Sequence, residues 1–277
     1  MKQITPETFE QLILTAISAG KAIMEVYATN FDVEIKPDHT PLTLADTRAN
    51  DIIQQCLVQT GIPVISEEGR SIPWHIRETW DQFWLVDPLD GTKEFVHRNG
   101  EFSVNIALVN KGVPILGVIY APVTDTLYWA DNQGAFRLDH AAGEAEANAH
   151  LPALRRQAKK LPLPRTDSDF TIVASRSHLT SETMSYINLM KREHHNIRIV
   201  SRGSSLKMCM VAEGQADVYP RFGQTSEWDT AAGHAIILAA GGKVVLADNP
   251  AKTLTYNKSD LQNPSFLAFP FSEETTQ

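Results

Sequence analysis

The stretch that most constrains this chain covers residues 84–95 and reads Trp84-Leu85-Val86-Asp87-Pro88-Leu89-Asp90-Gly91-Thr92-Lys93-Glu94-Phe95. An apolar run ends here in two aspartates, the pattern of a buried strand that delivers carboxylates to its own end. Asp87 and Asp90 lie across a turn that Pro88 stiffens, so both side chains and the Leu89 carbonyl can converge on one point. Convergent hard oxygens suit Mg²⁺ better than Zn²⁺. Gly91 permits close backbone approach, and residues 92–95 read as a first helical turn whose free N–H groups favour phosphate. The plainer reading of the same residues is a strand closed by an Asp-capped turn.

Two other places repeat the theme. Residues 63–69, Pro63-Val64-Ile65-Ser66-Glu67-Glu68-Gly69, form a second apolar strand that ends in carboxylates, at a loop of the kind where ligands collect. Pro41-Leu42-Thr43-Leu44-Ala45-Asp46 leads into a helix with Ala49, Ile52, Ile53, Cys56 and Leu57 inward and Gly61 as its stop. Asp46 then sits in the first turn, where an acid is ordinarily a partner of the helix dipole. Asp229 admits the same two readings in a helix opened by Glu227, followed by small residues that allow close packing.

The remaining pattern sets the architecture. A helix starts at Thr5-Pro6-Glu7, and a short strand is expected at 33–35. Strand-like runs at 102–109, 113–120, 126–130 and 135–138, broken by Asn110-Lys111-Gly112 and Asn132-Gln133-Gly134, predict an antiparallel meander. The second half alternates: strands at 170–174, 197–200, 216–219, 243–246 and 266–269, with helices near 181–192, 204–213 and 227–240 between them. Such alternation implies layered sheets with helices on their faces. The expected division is an α+β part over 1–138 carrying Asp46, Glu67 and the 87–92 motif, and an α/β part over 170–277 carrying Asp229. Between them an Ala-, Lys- and Pro-rich excursion over 139–169 is expected outside the core.

Composition narrows the partners. A chain of 277 residues with 43% hydrophobic residues can bury a large core or two joined subdomains. Its net charge of −8 argues against gripping a nucleic acid polymer, while a local basic cluster can still hold a small anion. Cys56 and Cys209 both fall in apolar helical patterns and are expected as buried, reduced thiols. No apolar run approaches bilayer-spanning length and the start has no signal core, so the expected location is cytoplasmic; peripheral association at the cytoplasmic face of the inner membrane stays open.

Glu67-Glu68, Asp87-Pro88-Leu89-Asp90-Gly91-Thr92 and Trp228-Asp229-Thr230-Ala231-Ala232-Gly233 together resemble the signature set of the inositol monophosphatase superfamily. The resemblance covers nearly the whole chain in order. It implies a mixed α and β fold, the layered αβαβα sandwich of the inositol monophosphatase/fructose-1,6-bisphosphatase type. Residues 91–95, Gly203-Ser204-Ser205-Leu206-Lys207 and the segment 212–221 are similar to the 3'(2'),5'-bisphosphate nucleotidases of the CysQ type. Their substrate is adenosine 3',5'-bisphosphate, a by-product of sulfate activation and sulfotransfer. The resemblance implies two or three Mg²⁺ ions held by Glu67, Asp87, Asp90, Asp229 and the Leu89 carbonyl. It also implies catalytic roles for Glu67 and for a Thr92–Asp46 pair that orients a water, and substrate contacts from Leu89, Asp90, Gly91, Thr92, His178, Ser204, Lys207, Arg221 and Asp229. Lys93 either tunes phosphate binding or faces solvent.

The chemistry agrees with that expectation. Four carboxylates held close repel each other unless cations neutralise them, and two Mg²⁺ ions about 4 Å apart would do so and bridge a phosphate. A Thr92 hydroxyl that donates to Asp46 while accepting from a water would relay a proton as that water attacks in line, with no phosphoenzyme. Three competing readings remain open at this point. The nearest is an inositol or sugar phosphate phosphatase. The others are a non-catalytic divalent-cation module and a two-metal nuclease.

Overall fold

The computed structural model describes residues 2–35, 41–148, 150–165, 168–176 and 179–272. At its centre is a seven-stranded sheet whose strands stand in chain order: Val64–Ser66, Gln82–Asp90, Ser103–Asn110, Val113–Ala121, Thr126–Asp131, Gly134–Asp139 and Lys159–Lys160. The first pair is parallel and every later pair antiparallel. The predicted meander is therefore present almost residue for residue.

Both faces of this sheet are covered, which is why its strands are apolar at successive positions and not only at alternate ones. Trp84, Val86, Ile106 and Leu108 point into a core shared with the helices Pro6–Tyr27 and Leu44–Leu57. Phe83, Leu85, Ala107 and Val109, one residue out of phase, enter a second core with the helices Leu206–Ala212 and Glu227–Ala239. Beyond those helices lie the parallel strands Phe170–Ser175 and Ile197–Arg202 and a sheet of Tyr219–Arg221, Phe266–Phe269 and Lys243–Leu246. A bridge between Ile172 and Val218 links the two groups. The helix Ser181–Glu193 closes the outer face through Ile187 and Met190. The order is helix, sheet, helix, sheet, helix.

Three expectations need correction. Residues 139–169 are not an excursion outside the core. The helices Ala141–Ala147 and Leu151–Gln157 bury Ala141, Ala145, Leu151 and Leu154 in the first core, and Lys159–Lys160 extends the main sheet. Each helix has only seven residues, too few for a helical period to repeat visibly. Pro88 does not make a turn: the strand runs on to Asp90, with pairing register shifted between Asp87 and Asp90. A bulge is the one interior position where a missing N–H is tolerated. The strand expected at 216–219 begins at Tyr219, because Gln215 and Ala216 instead return their N–H groups to the Met210 carbonyl.

Candidate active site

The bulge that ends the Gln82–Asp90 strand sets the carboxylates apart from the sheet. Asp87 is 2% exposed, and its Oδ1 accepts the Leu89 N–H at 3.1 Å, which fixes the peptide between the two aspartates. Asp90 Oδ2 accepts from Ser204 Oγ at 2.8 Å, Ser205 N–H at 2.5 Å and Asn105 Nδ2 at 3.2 Å. Gly91 turns the chain at φ 92°, a left-handed conformation that disfavours any side chain, and the helix Thr92–Val96 comes next. Glu67 comes from the neighbouring parallel strand; its N–H donates to the Val86 carbonyl at 3.1 Å, which brings it level with Asp87.

Asp46 and Asp229 each occupy the third position of a helix, and each forms a capping box. Asp46 Oδ2 accepts from Thr43 N–H at 2.8 Å and Thr43 Oγ1 at 2.7 Å; Asp229 Oδ2 accepts from Ser226 N–H at 2.9 Å. The capping role and a site role were alternatives in sequence. In the fold the cap occupies one oxygen and leaves the other for the site: Thr92 Oγ1 donates to Asp46 Oδ1 at 3.2 Å, with the Leu89 carbonyl an equally distant acceptor.

A cleft of about 210 Å³ opens between these elements, lined by Glu67, Asp87, Leu89, Asp90, Gly91, Thr92 and Asp229 together with Ser204, Lys207 and Arg221. Ten of the residues predicted from sequence thus meet there. Asp46 is buried behind Thr92 and Lys93 is exposed on the rim. His178 lies outside the described residues.

The electrostatics are unbalanced. Burial, followed by repulsion from Glu67, Asp90 and Asp229, drives the Asp87 carboxyl well above its usual range. Asp229 is driven up in the same way by burial, Asp90 and Glu67. Asp90 is raised by burial, against the opposing pull of Lys207 and its three donors. In the same cleft, burial brings the Lys207 ammonium down to about 8, with Asp90 resisting and Arg221 reinforcing the shift. Lys207 Nζ donates to the Ser204 carbonyl at 2.5 Å. Arg221 gives one Nη to the Gln224 carbonyl, while its buried Nε has no acceptor within the protein.

Among the described residues no three His, Cys, Asp or Glu side chains already form a finished cation site. The donor set nevertheless fits one. These are hard oxygen donors held close enough to repel one another, which a divalent ion relieves and a soft metal does not match. The unsatisfied Arg221 Nε fits an anionic oxygen.

Some residues in and behind the cleft carry no motif. Ser103 and Asn105 bond to the turn that holds Asp90: Ser103 Oγ to Ser205 Oγ at 2.8 Å, and Ser205 Oγ to Asn105 Oδ1 at 2.8 Å. Their signal was two polar residues on one face of an otherwise apolar strand. Tyr219 and Thr230 also line the cleft; both fall inside the segments 212–221 and 228–233, where the neighbouring Arg221 and Asp229 carried the site expectation.

Known proteins share this sequence pattern and fold. The model of the inositol monophosphatase family matches residues 6–271. The chain is 45% identical over 262 residues to the 3'(2'),5'-bisphosphate nucleotidase CysQ of Salmonella typhimurium, covering 93% of this chain and 97% of that one. The protein of the same name from Haemophilus influenzae is 33% identical over 270 residues, covering 96% and 94%. The crystal structure of CysQ from Bacteroides thetaiotaomicron superposes with a TM-score of 0.88 at 46% identity, covering 96% of this chain and 98% of that one. The Thermotoga maritima IMPase shares the fold at a TM-score of 0.71 and 22% identity, covering 95% and 92%. With one match running through almost every element of both halves, the chain belongs to the inositol monophosphatase family.

Proposed function

We propose that this chain is a 3'(2'),5'-bisphosphate nucleotidase that hydrolyses the 3'-phosphate of adenosine 3',5'-bisphosphate to AMP and phosphate. One observation carries the reading: a single cleft is lined by four mutually repelling carboxylates and by two buried cations. A phosphoryl group that reacts beside the carboxylates leaves a second phosphate to be met by Lys207 and Arg221. A cleft lined by buried cations suits a small anion; a polymer does not fit the net charge of −8.

In this reading Glu67, Asp87, the Leu89 carbonyl, Asp90 and Asp229 hold two or three Mg²⁺ ions. When bound, Mg²⁺ neutralises the carboxylates, polarises the phosphoryl oxygens and makes a water more acidic. The chain's own residues do the rest. Thr43 pins Asp46, and Asp46 accepts the hydrogen bond of the Thr92 hydroxyl, so a lone pair on Thr92 Oγ1 is turned outward to accept an O–H from the attacking water. Attack in line forms the new P–O bond as the bond to the 3'-oxygen breaks; the water's proton passes to Thr92 Oγ1 as the Thr92 proton passes to Asp46, and the departing oxygen takes its proton from solvent.

The cytoplasm is the location that suits two unpaired cysteines, Cys56 and Cys209. No helix among the described residues is long and apolar enough to cross a membrane. The deciding experiment is phosphate release from a panel of adenosine 3',5'-bisphosphate, NADP, AMP and inositol 1-phosphate under Mg²⁺ and under Ca²⁺. The bisphosphate should have the highest kcat/KM, with Mg²⁺ only. A higher kcat/KM for inositol 1-phosphate would refute the substrate, and no turnover of any ester would refute the enzyme.

A further inference from the structure

Behind the wall of the cleft formed by Gly203 and Ser204 sits a carboxylate that takes no part in the hydrolysis itself. Glu101 is 8% exposed. Its Oε2 accepts from Arg176 Nε at 2.8 Å and from the Gly203 N–H at 2.8 Å, and its Oε1 accepts from Arg176 Nη2 at 3.0 Å and Arg202 Nη1 at 3.1 Å. Burial alone would raise this carboxyl, but the donors hold it below its usual range. Arg176 comes directly after the strand Phe170–Ser175 and Arg202 ends Ile197–Arg202, whose last pair is Ser175 with Arg202. Glu101 therefore ties the ends of two parallel strands to the backbone of Gly203.

The tether matters because of the residue next to Gly203. Ser204 is left-handed at φ 55°, which disfavours a side chain by about 1–2 kcal/mol. Only in this conformation do the Ser204 hydroxyl and the Ser205 N–H meet Asp90 Oδ2 while the Ser204 carbonyl turns to Lys207 Nζ. The packing leaves no slack, since a Cβ at position 203 would lie 2.7 Å from Glu94 Cγ and 2.8 Å from the Glu101 carbonyl. A strained turn that orients a site carboxylate on one side and a site ammonium on the other persists only if something holds it.

We propose that Glu101 is a positioning residue that clamps the 203–205 turn through Gly203 and so presets Asp90 for the divalent cation and Lys207 for the second phosphate. The inference rests on the nucleotidase reading of the same cleft. Glu101 touches neither ion nor substrate; it acts through the turn.

The test is Glu101→Gln in the full chain, read by thermal unfolding, by calorimetric titration with MgCl₂ alone, and by kcat and KM for adenosine 3',5'-bisphosphate. The amide keeps the shape but sets an N–H₂ against N–H donors. Mg²⁺ affinity should fall about 10- to 100-fold, the range for groups that orient metal ligands, with KM raised and kcat at saturating Mg²⁺ within about threefold of wild type. A folded variant with unchanged Mg²⁺ affinity, or one that loses kcat alone, overturns the clamp. If Glu101→Gln does not fold, the double variant Arg176→Gln/Arg202→Gln decides, because it removes three of the four donors from half-exposed positions. It should weaken Mg²⁺ at least about threefold, and unchanged binding overturns the proposal. The Mg²⁺ titration needs no nucleotide: a wild type that binds Mg²⁺ but prefers another ester defeats the substrate assignment and leaves the clamp standing, whereas one that binds no Mg²⁺ defeats both.

Discussion

Asp46 divides its two oxygens between two duties, and the division separates two mutants that a kinetic screen would otherwise confuse. Thr92→Ala removes only the hydroxyl proposed to accept from the attacking water. It should lower kcat about 100-fold or more, the scale of a lost proton relay, and leave KM, Mg²⁺ affinity and Tm near wild type. Asp46→Asn also disturbs the cap at Thr43, so steady-state kinetics and calorimetry should show the same loss of kcat together with about 1 kcal/mol of lost stability. A wild-type kcat for Thr92→Ala would remove the relay. At this scale the sequence was legible wherever a motif is contiguous: 87–92, 203–207 and Asp229 with its neighbours. Glu101 was not, because its partners are Arg176, Gly203 and Arg202, some 75 to 102 positions away, and a lone acid before an apolar strand carries no sign of them.

The helix Glu227–Ala239 presents a competition between propensity and packing. Gly233→Ala should gain about 0.5–1 kcal/mol as an intrinsic helix preference. The new Cβ, however, would sit 2.6 Å from Met208 Cβ and 2.8 Å from its Sδ. The first of those atoms cannot swing away, and overpacking costs about 1–3 kcal/mol, so packing wins. We predict a Tm lower by several degrees in a thermal melt; a raised Tm would show that the Leu206–Ala212 helix yields. The meander was readable because its strands are long and its turns carry Asn and Gly. The 139–169 helices were not, because seven-residue helices rich in alanine lack a repeated period. Pro88 misled for a better reason: a bulge and a turn have the same local signal, and only the pairing partner Ser103–Asn110 distinguishes them.

The acidic cleft couples the stability of the whole molecule to pH and to cations. Asp87, Asp90 and Asp229 bind protons more tightly when folded than unfolded. Between the ordinary and the raised values the native chain holds the extra protons, so without Mg²⁺ stability falls as pH rises through that window. Glu101 and Asp139, held low, change stability only below about pH 5. Lys207, lowered to about 8, adds stability only above that value as pH climbs. Melts between pH 5 and 8 check this balance in two ways. In EDTA, Tm should decline across the range, and the gain in Tm on adding Mg²⁺ should grow toward pH 8, because the ion displaces protons. A Mg²⁺ shift that does not vary with pH would contradict the assignment of these carboxylates to the ion.

The main sheet is strung in chain order from Val64 to Lys160, whereas one of its faces is sealed by helices that lie beyond residue 205. During synthesis, which runs from the amino end, the first two thirds can therefore assemble around Trp84 and Val86 while Phe83, Leu85, Ala107 and Val109 still stand bare on the opposite side. That half-built particle has no Lys207, no Arg221, no Asp229 and a greasy plane open to other nascent chains. Yield in the cell should depend on how quickly the last hundred or so residues arrive to cover it, more than on the strength of any single contact in the finished enzyme.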